Sequence, residues 1–135
     1  MKKARARRTT AFVEKMANVA WREYPGHFGG ALSKALVGPE NSGSRLIDFR
    51  ISRYAPSAYV QEHVHEVQEQ IYYVLEGEGV LTLGRERHLM RPHDYVYVPP
   101  GVRHSFTNTG TAGLVFLVVT TPEADEPLTK GGSKT

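Results

Sequence analysis

The chain has 135 residues, enough for one domain with its own core. It contains no cysteine, which excludes a disulfide scaffold, a thiolate metal site and a cysteine nucleophile; any bound metal must rest on nitrogen and oxygen donors, for which six histidines are available. The formal net charge of +3 sits at the start, where Lys2, Lys3, Arg5, Arg7 and Arg8 carry five positives with no acid among them; the rest holds 12 basic against 14 acidic residues, which speaks against a nucleic-acid reader.

Residues 1–8 read as a disordered basic tail. The stretch Arg7-Arg8-Thr9-Thr10-Ala11-Phe12 is faintly similar to a twin-arginine export signal, but Glu14, Lys15, Asn18 and Arg22 interrupt any apolar run. Neither a signal core nor a membrane span follows, so a cytoplasmic protein that does not engage a membrane is expected. Residues 9–43 read as an N-terminal helix or arm. Thr9 or Thr10 can cap a short helix across Phe12, Met16 and Val19, and Pro25-Gly26 and Gly29-Gly30 break it.

Residues 44–121 carry strand signals almost throughout. Arg45 to Tyr54 alternates Ile47, Phe49 and Ile51 against Asp48, Arg50 and Ser52. Ala58 to His65 and Gln70 to Leu75 follow, the latter rich in aromatic and β-branched residues. Val80 to Leu83 and Arg87 to Met90 flank a Gly84-Arg85 turn, and Asp94 to Val98, Val102 to Asn108 and Gly113 to Thr120 complete the set. Short strands with turns at regular intervals predict an all-β sandwich or barrel. Residues 122–135, rich in Pro, Lys and Gly, read as a loose tail.

His63 and His65 lie two apart on a predicted strand, so both imidazoles point the same way and make half of a metal site. Two polar residues on a solvent face would give the same pattern. Gln70 opens the next strand, where its amide oxygen can reach the same centre, and Glu69 beside it competes for that role; strand parity alone does not choose between them. His104 follows the Pro99-Pro100-Gly101 turn, and Asn108 can cap a turn four residues on. His27, His88 and His93 are assigned to loops and surface. Arg50 shares a face with Asp48, as an internal ion pair or as a group that meets an anionic substrate.

These stretches carry a family resemblance. His63 to Gly77 (HVHEVQEQIYYVLEG) resembles the first cupin motif, and Pro99 to Asn108 (PPGVRHSFTN) resembles the second. Two motifs at this separation are far more specific than either alone. The resemblance implies an all-β cupin double-stranded β-helix, or jelly-roll barrel, with one divalent transition metal ion (Mn, Fe, Co, Ni or Zn) on His63, His65, His104 and Gln70. It departs from the family in two places: Gln70 stands where a Glu is usual, and His93 where a Gly usually opens the second motif.

Three neutral imidazoles and a neutral amide would leave the metal's double charge uncompensated, which favours Lewis-acid chemistry over oxygen chemistry. Two open positions on an octahedral ion would suit a chelating keto acid, α-hydroxy-carbonyl or diol. The expected function is thus a non-redox metal-dependent isomerase or lyase acting on a small, oxygen-rich, anionic molecule. Glu69, Tyr72 or a metal-bound water are candidates for the base, and Arg50 and Phe106 for substrate contacts. An iron dioxygenase and a non-catalytic small-molecule binding protein are the alternatives. More apolar strand faces than one small barrel buries, around Ile47, Phe49, Ile51, Val115, Leu117 and Val119, point to a homodimer.

Overall fold

The computed structural model describes residues 10–128, so the basic tail lies outside the described residues. In chain order the strands are β1 (Arg22–Glu23), β2 (His27–Phe28), β3 (Ala31–Val37), β4 (Asp48–Tyr54), β5 (Tyr59–His63), β6 (Glu69–Glu76), β7 (Gly79–Leu83), β8 (Glu86–Met90), β9 (Tyr95–Val98), β10 (His104–Asn108) and β11 (Leu114–Thr121). One four-residue helix, α1 (Pro39–Ser42), separates β3 from β4. The strands form a six-stranded sheet in the order β1-β3-β4-β11-β6-β9 and a five-stranded sheet in the order β2-β5-β10-β7-β8. The pairings are antiparallel, which gives the all-β barrel that the strand spacing predicts, in the jelly-roll form that the family resemblance implies. No helix among the described residues is long and apolar enough to cross a membrane.

The inward side chains of the six-stranded sheet turn from apolar to polar toward one end. On β11 they run Leu114, Phe116, Val118, then Thr120. β6 faces them in the opposite sense, with Val74 across from Phe116, Tyr72 from Val118 and Gln70 from Thr120. On the other side β4 places Ser52, Arg50 and Asp48 against the same three residues of β11. The closed end is filled by Tyr54, Val74, Leu81, Phe106, Leu114 and Phe116, all 2% exposed or less. Each stabilises the fold by roughly 1.5–3 kcal/mol on burial, and together they exclude water from below the mouth. Asn108 closes this end: its amide nitrogen donates to the Tyr54 and Ala112 carbonyls, and its oxygen accepts from Gly110 N–H at 2.8 Å.

The N-terminal arm departs from the predicted helix. It makes only a single 3₁₀ turn, Met16–Asn18. The arm is held against the barrel by contacts that helix propensity does not weigh. Lys34 Nζ on β3 donates to the Met16 carbonyl at 2.9 Å, and the Trp21 ring meets both Lys34 Nζ and the Arg53 guanidinium, at 4.9 and 4.4 Å from its centroid. Residues 31–37, read from sequence as part of the arm, form a strand of the larger sheet, paired with β4. Its inward residues Ala31, Ser33 and Ala35 are small, so no strong hydrophobic alternation announces it.

Gly77 turns the chain between β6 and β7 with φ +78°, and a Cβ there would run into the Gly113 carbonyl. Gly77→Ala is therefore expected to destabilise the fold by about 2 kcal/mol or more, read as a lower urea midpoint with an unchanged slope.

Candidate metal centre

At the polar mouth the two sheets bring together residues from distant parts of the chain. His63 ends β5, and His104, which opens β10, stands directly opposite it in register. Between Val60 and His63 the strand carries one residue more than its partner: Phe106 faces Val60, but His104 faces His63. This β-bulge resets the side-chain alternation, so Val60 and His63 both point inward although they are three apart. His65 follows two residues later on the same side. Gln70 comes from the other sheet.

The three imidazoles form a cluster whose ligand nitrogens all lie within 4.8 Å of one another. Ring centroids are 4.1 Å apart for His63 and His104, 4.9 Å for His63 and His65, and 5.5 Å for His65 and His104. Their orientation is set from behind. His63 Nδ1 donates to the Gln61 carbonyl at 2.7 Å and His104 Nδ1 to the Val102 carbonyl at 2.8 Å. Each bond uses the single N–H of a neutral ring and leaves Nε2 as a bare lone pair, the arrangement found behind metal-bound histidines. His65 Nδ1 faces Asp125 Oδ2 at 3.8 Å, while its Nε2 is buried and makes no hydrogen bond. An orphaned buried imidazole nitrogen is costly unless something positive accepts its lone pair.

Gln70 sharpens the fit. Its amide nitrogen donates to Thr120 Oγ1 at 3.0 Å, which leaves Oε1 2.9 Å from His104 Nε2. With the His104 proton already committed to Val102, that contact sets lone pair against lone pair. Two donors bound at right angles to one ion, each about 2.1 Å away, stand about 3.0 Å apart. The residues present thus fit a divalent transition metal bound by nitrogen and oxygen.

Burial pushes His104 down to about 4, with His63 and His65 adding to the effect and the Val102 carbonyl opposing it. His65 is lowered as well, first by burial and then by His63, against the pull of the Asp125 carboxylate and the Gln70 amide. Both shifts favour the neutral imidazoles of His104 and His65, the form that coordinates a metal.

His63 and His65 open onto a cavity of about 500 Å³, the size of a small-molecule site, with His104 buried behind them. Arg50, Asp48, Gln68 and Tyr72 also line it. Arg50 is held by Asp48 through Nε and Nη2, at 2.8 and 3.2 Å, and its guanidinium lies over the Tyr24 ring at 4.2 Å. Of the two sequence readings of Arg50, the structure shows the internal ion pair, and it places that pair on the cavity wall. Burial raises the Tyr72 phenol well above its ordinary value, so it stays protonated and does not act as a base.

Two expectations are corrected on position. Glu69 lies exposed on the outer face, where it accepts a bond from Tyr97 Oη at 2.9 Å. Parity on β6 sends it away from the cavity that Gln70 lines. Phe106 is fully buried, stacked on Tyr72 at 5.7 Å and packed edge-on against Phe116 at 4.9 Å, so it supports the cavity floor without lining it.

Two residues were missed. His27, assigned to a loop, sits on β2 and lines the cavity; a two-residue strand is too short for periodicity to reveal. Asp125 lies in the segment read as a loose tail. Its carboxylate accepts N–H bonds from Glu66, Val67 and Gln68 at 2.8–3.0 Å, and Gln68 Nε2 returns one to the Pro122 carbonyl at 3.1 Å. Burial alone would raise the Asp125 carboxyl, but the three N–H groups and His65 outweigh it and hold it below its ordinary value.

A two-sheet barrel with three convergent imidazoles in its mouth is a small jelly roll able to hold a metal ion. A family model for the cupin domain matches residues 50–120, and the chain belongs to that family. An oxalate-binding protein of Thermotoga maritima is 35% identical over 84 residues, which cover 62% of this chain and 69% of that protein. An uncharacterized protein of Methanocaldococcus jannaschii is 38% identical over 60 residues, 44% of this chain, and the match spans 48% of its own length. Among solved structures, a predicted oxalate decarboxylase from Thermotoga maritima superimposes with a TM-score of 0.75 and 26% identity, over 82% of this chain and 99% of that one.

Two outcomes follow. Because His104 binds its proton less readily folded than unfolded, the metal-free protein should lose stability as pH falls from about 6.5 toward 4, by roughly 2–3 kcal/mol from this group. His104→Gln should flatten that slope in urea titrations at pH 7 and 4.5. Asp125→Ala should release the 66–68 bend behind His65 and weaken zinc binding about tenfold or more in a competitive chelator titration.

Proposed function

We propose that the chain binds one divalent transition metal ion (Mn, Fe, Co, Ni or Zn) on His63, His65, His104 and Gln70. The ion would hold a small, oxygen-rich, anionic molecule such as a keto acid or sugar acid for a non-redox isomerisation or elimination. The observation that carries this reading is the clustering of three imidazoles, with Nδ1 of His63 and His104 bonded to main-chain carbonyls and His65 Nε2 buried and unbonded. When bound, the ion supplies Lewis acidity that a neutral donor set leaves undiminished. The protein's own groups do the rest. Thr120 holds the Gln70 amide, Tyr72 offers a phenolic proton, and the Asp48–Arg50 pair meets the polar end of the molecule at the mouth. The apolar side chains of Val60, Phe116 and Val118 exclude water from one wall.

A second reading, a protein that binds such a molecule without transforming it, is favoured by the similarity to the oxalate-binding protein. Exposed Ile71, Tyr95 and Tyr97 on the outer face of the larger sheet support pairing into a homodimer.

Elemental analysis of the purified chain is expected to find about one transition metal ion per chain. Chelation should abolish binding of oxalate and 2-oxo acids in calorimetry, and Mn, Co or Ni should restore it. Binding that survives a His63→Ala, His104→Ala double substitution rejects the proposal; tight binding with no product across a metabolite screen favours the second reading.

A further inference from the structure

A metal-assisted isomerisation or elimination needs a group that takes a proton from the bound molecule. Neither side chain that the sequence offers can do so, since Glu69 faces outward and the Tyr72 phenol keeps its proton.

His27 is placed to serve. It lies opposite Val60 in the β2–β5 pairing, so the two share the inward face, and its imidazole lines the cavity with His63, Arg50 and Tyr54. The ring meets Tyr54 edge-on, with centroids 6.2 Å apart. Nδ1 donates to the Pro25 carbonyl at 3.0 Å, which leaves the Nε2 lone pair on the far side of the ring, without a hydrogen-bond partner among the described residues. His27 is not one of the three clustered ligands. One strand spacing of about 4.8 Å sideways and, across the bulge in β5, the length of two steps of about 3.4 Å on β10 put its backbone roughly 8 Å from that of His63. Burial lowers its pKa, against the Pro25 and Tyr24 carbonyls, so the ring is a free acceptor at neutral pH.

We propose that His27 Nε2 is the proton acceptor for the molecule held at the metal centre, taking a proton from the carbon beside its carbonyl. The C–H bond breaks, its electron pair becomes the new carbon–carbon π bond, and the carbonyl π pair moves onto oxygen. The proton rests on Nε2 and returns either to the same carbon, which gives exchange with solvent, or to a neighbouring position, which gives an isomer. This assignment rests on the metal-dependent reading above.

The test uses the full chain loaded with Zn²⁺ and pyruvate in D₂O, with the methyl protons followed by NMR. The parent should exchange them faster than free Zn²⁺ at the same concentration. H27Q should slow that exchange about a hundredfold or more, with zinc affinity and calorimetric pyruvate binding within twofold of the parent. If H27Q loses zinc affinity, H27N decides on the same criteria. Unchanged exchange in the variant, or a parent that binds pyruvate without exchanging it, overturns the role of His27 and leaves the metal centre standing. A zinc-loaded parent that binds neither pyruvate nor oxalate overturns the functional reading, and this assignment with it.

Discussion

Three imidazoles share one cation only if each presents a nitrogen with a free lone pair, and main-chain carbonyls do that turning here. Gln61 and Val102 take the Nδ1 protons of His63 and His104, so the nitrogens left free to coordinate a metal are set by the main chain. Burial then favours the uncharged form of His104 and His65, which reduces competition from protons. The donors are preorganised at a cost to the metal-free fold, because the His65 nitrogen is stripped of water without a partner in return.

The rest of the barrel serves this arrangement by dividing its interior. Cross-strand rows on β4, β11 and β6 pass from Ser52, Phe116 and Val74 through Arg50, Val118 and Tyr72 to Asp48, Thr120 and Gln70. The first row packs near the closed end; the last supplies polar groups to the mouth. Antiparallel neighbours read this gradient in opposite directions along the chain, yet it becomes a single axis once the strands pair. The segment after β11 then folds back, and Asp125 clasps the bend that carries His65 from a position 59 residues beyond Glu66. His65 lies just past the end of β5, and the bend that follows it is held by a distant part of the sequence.

Much of this was legible in the residues themselves. Alternation located β4, and the turn residues located β6 through β11. The resemblance of the stretches around His63, His65 and His104 to the two cupin motifs pointed to a common centre. Parity left Gln70 and Glu69 undecided, because it says which residues share a face and not which face is inside. Phe106 fell to the same gap: a position on an inward face can be floor or lining, and only packing against Tyr72 and Phe116 separates them. His27 and Asp125 act through pairings and main-chain bonds with remote segments, which local pattern does not encode. The arm was misread as helix because its conformation is set by Lys34, Trp21 and Arg53, contacts made across the sheet.

The extra residue between Val60 and His63 gives the site an unusual dependence on counting. Side chains alternate along a strand, so the phase of everything after the bulge is set by one inserted position. Removing either Gln61 or Glu62 would shift that phase by one and send His63 toward solvent while every histidine remained in the sequence. Length in this stretch carries information that composition does not, and a variant that keeps every ligand letter can still lack the centre.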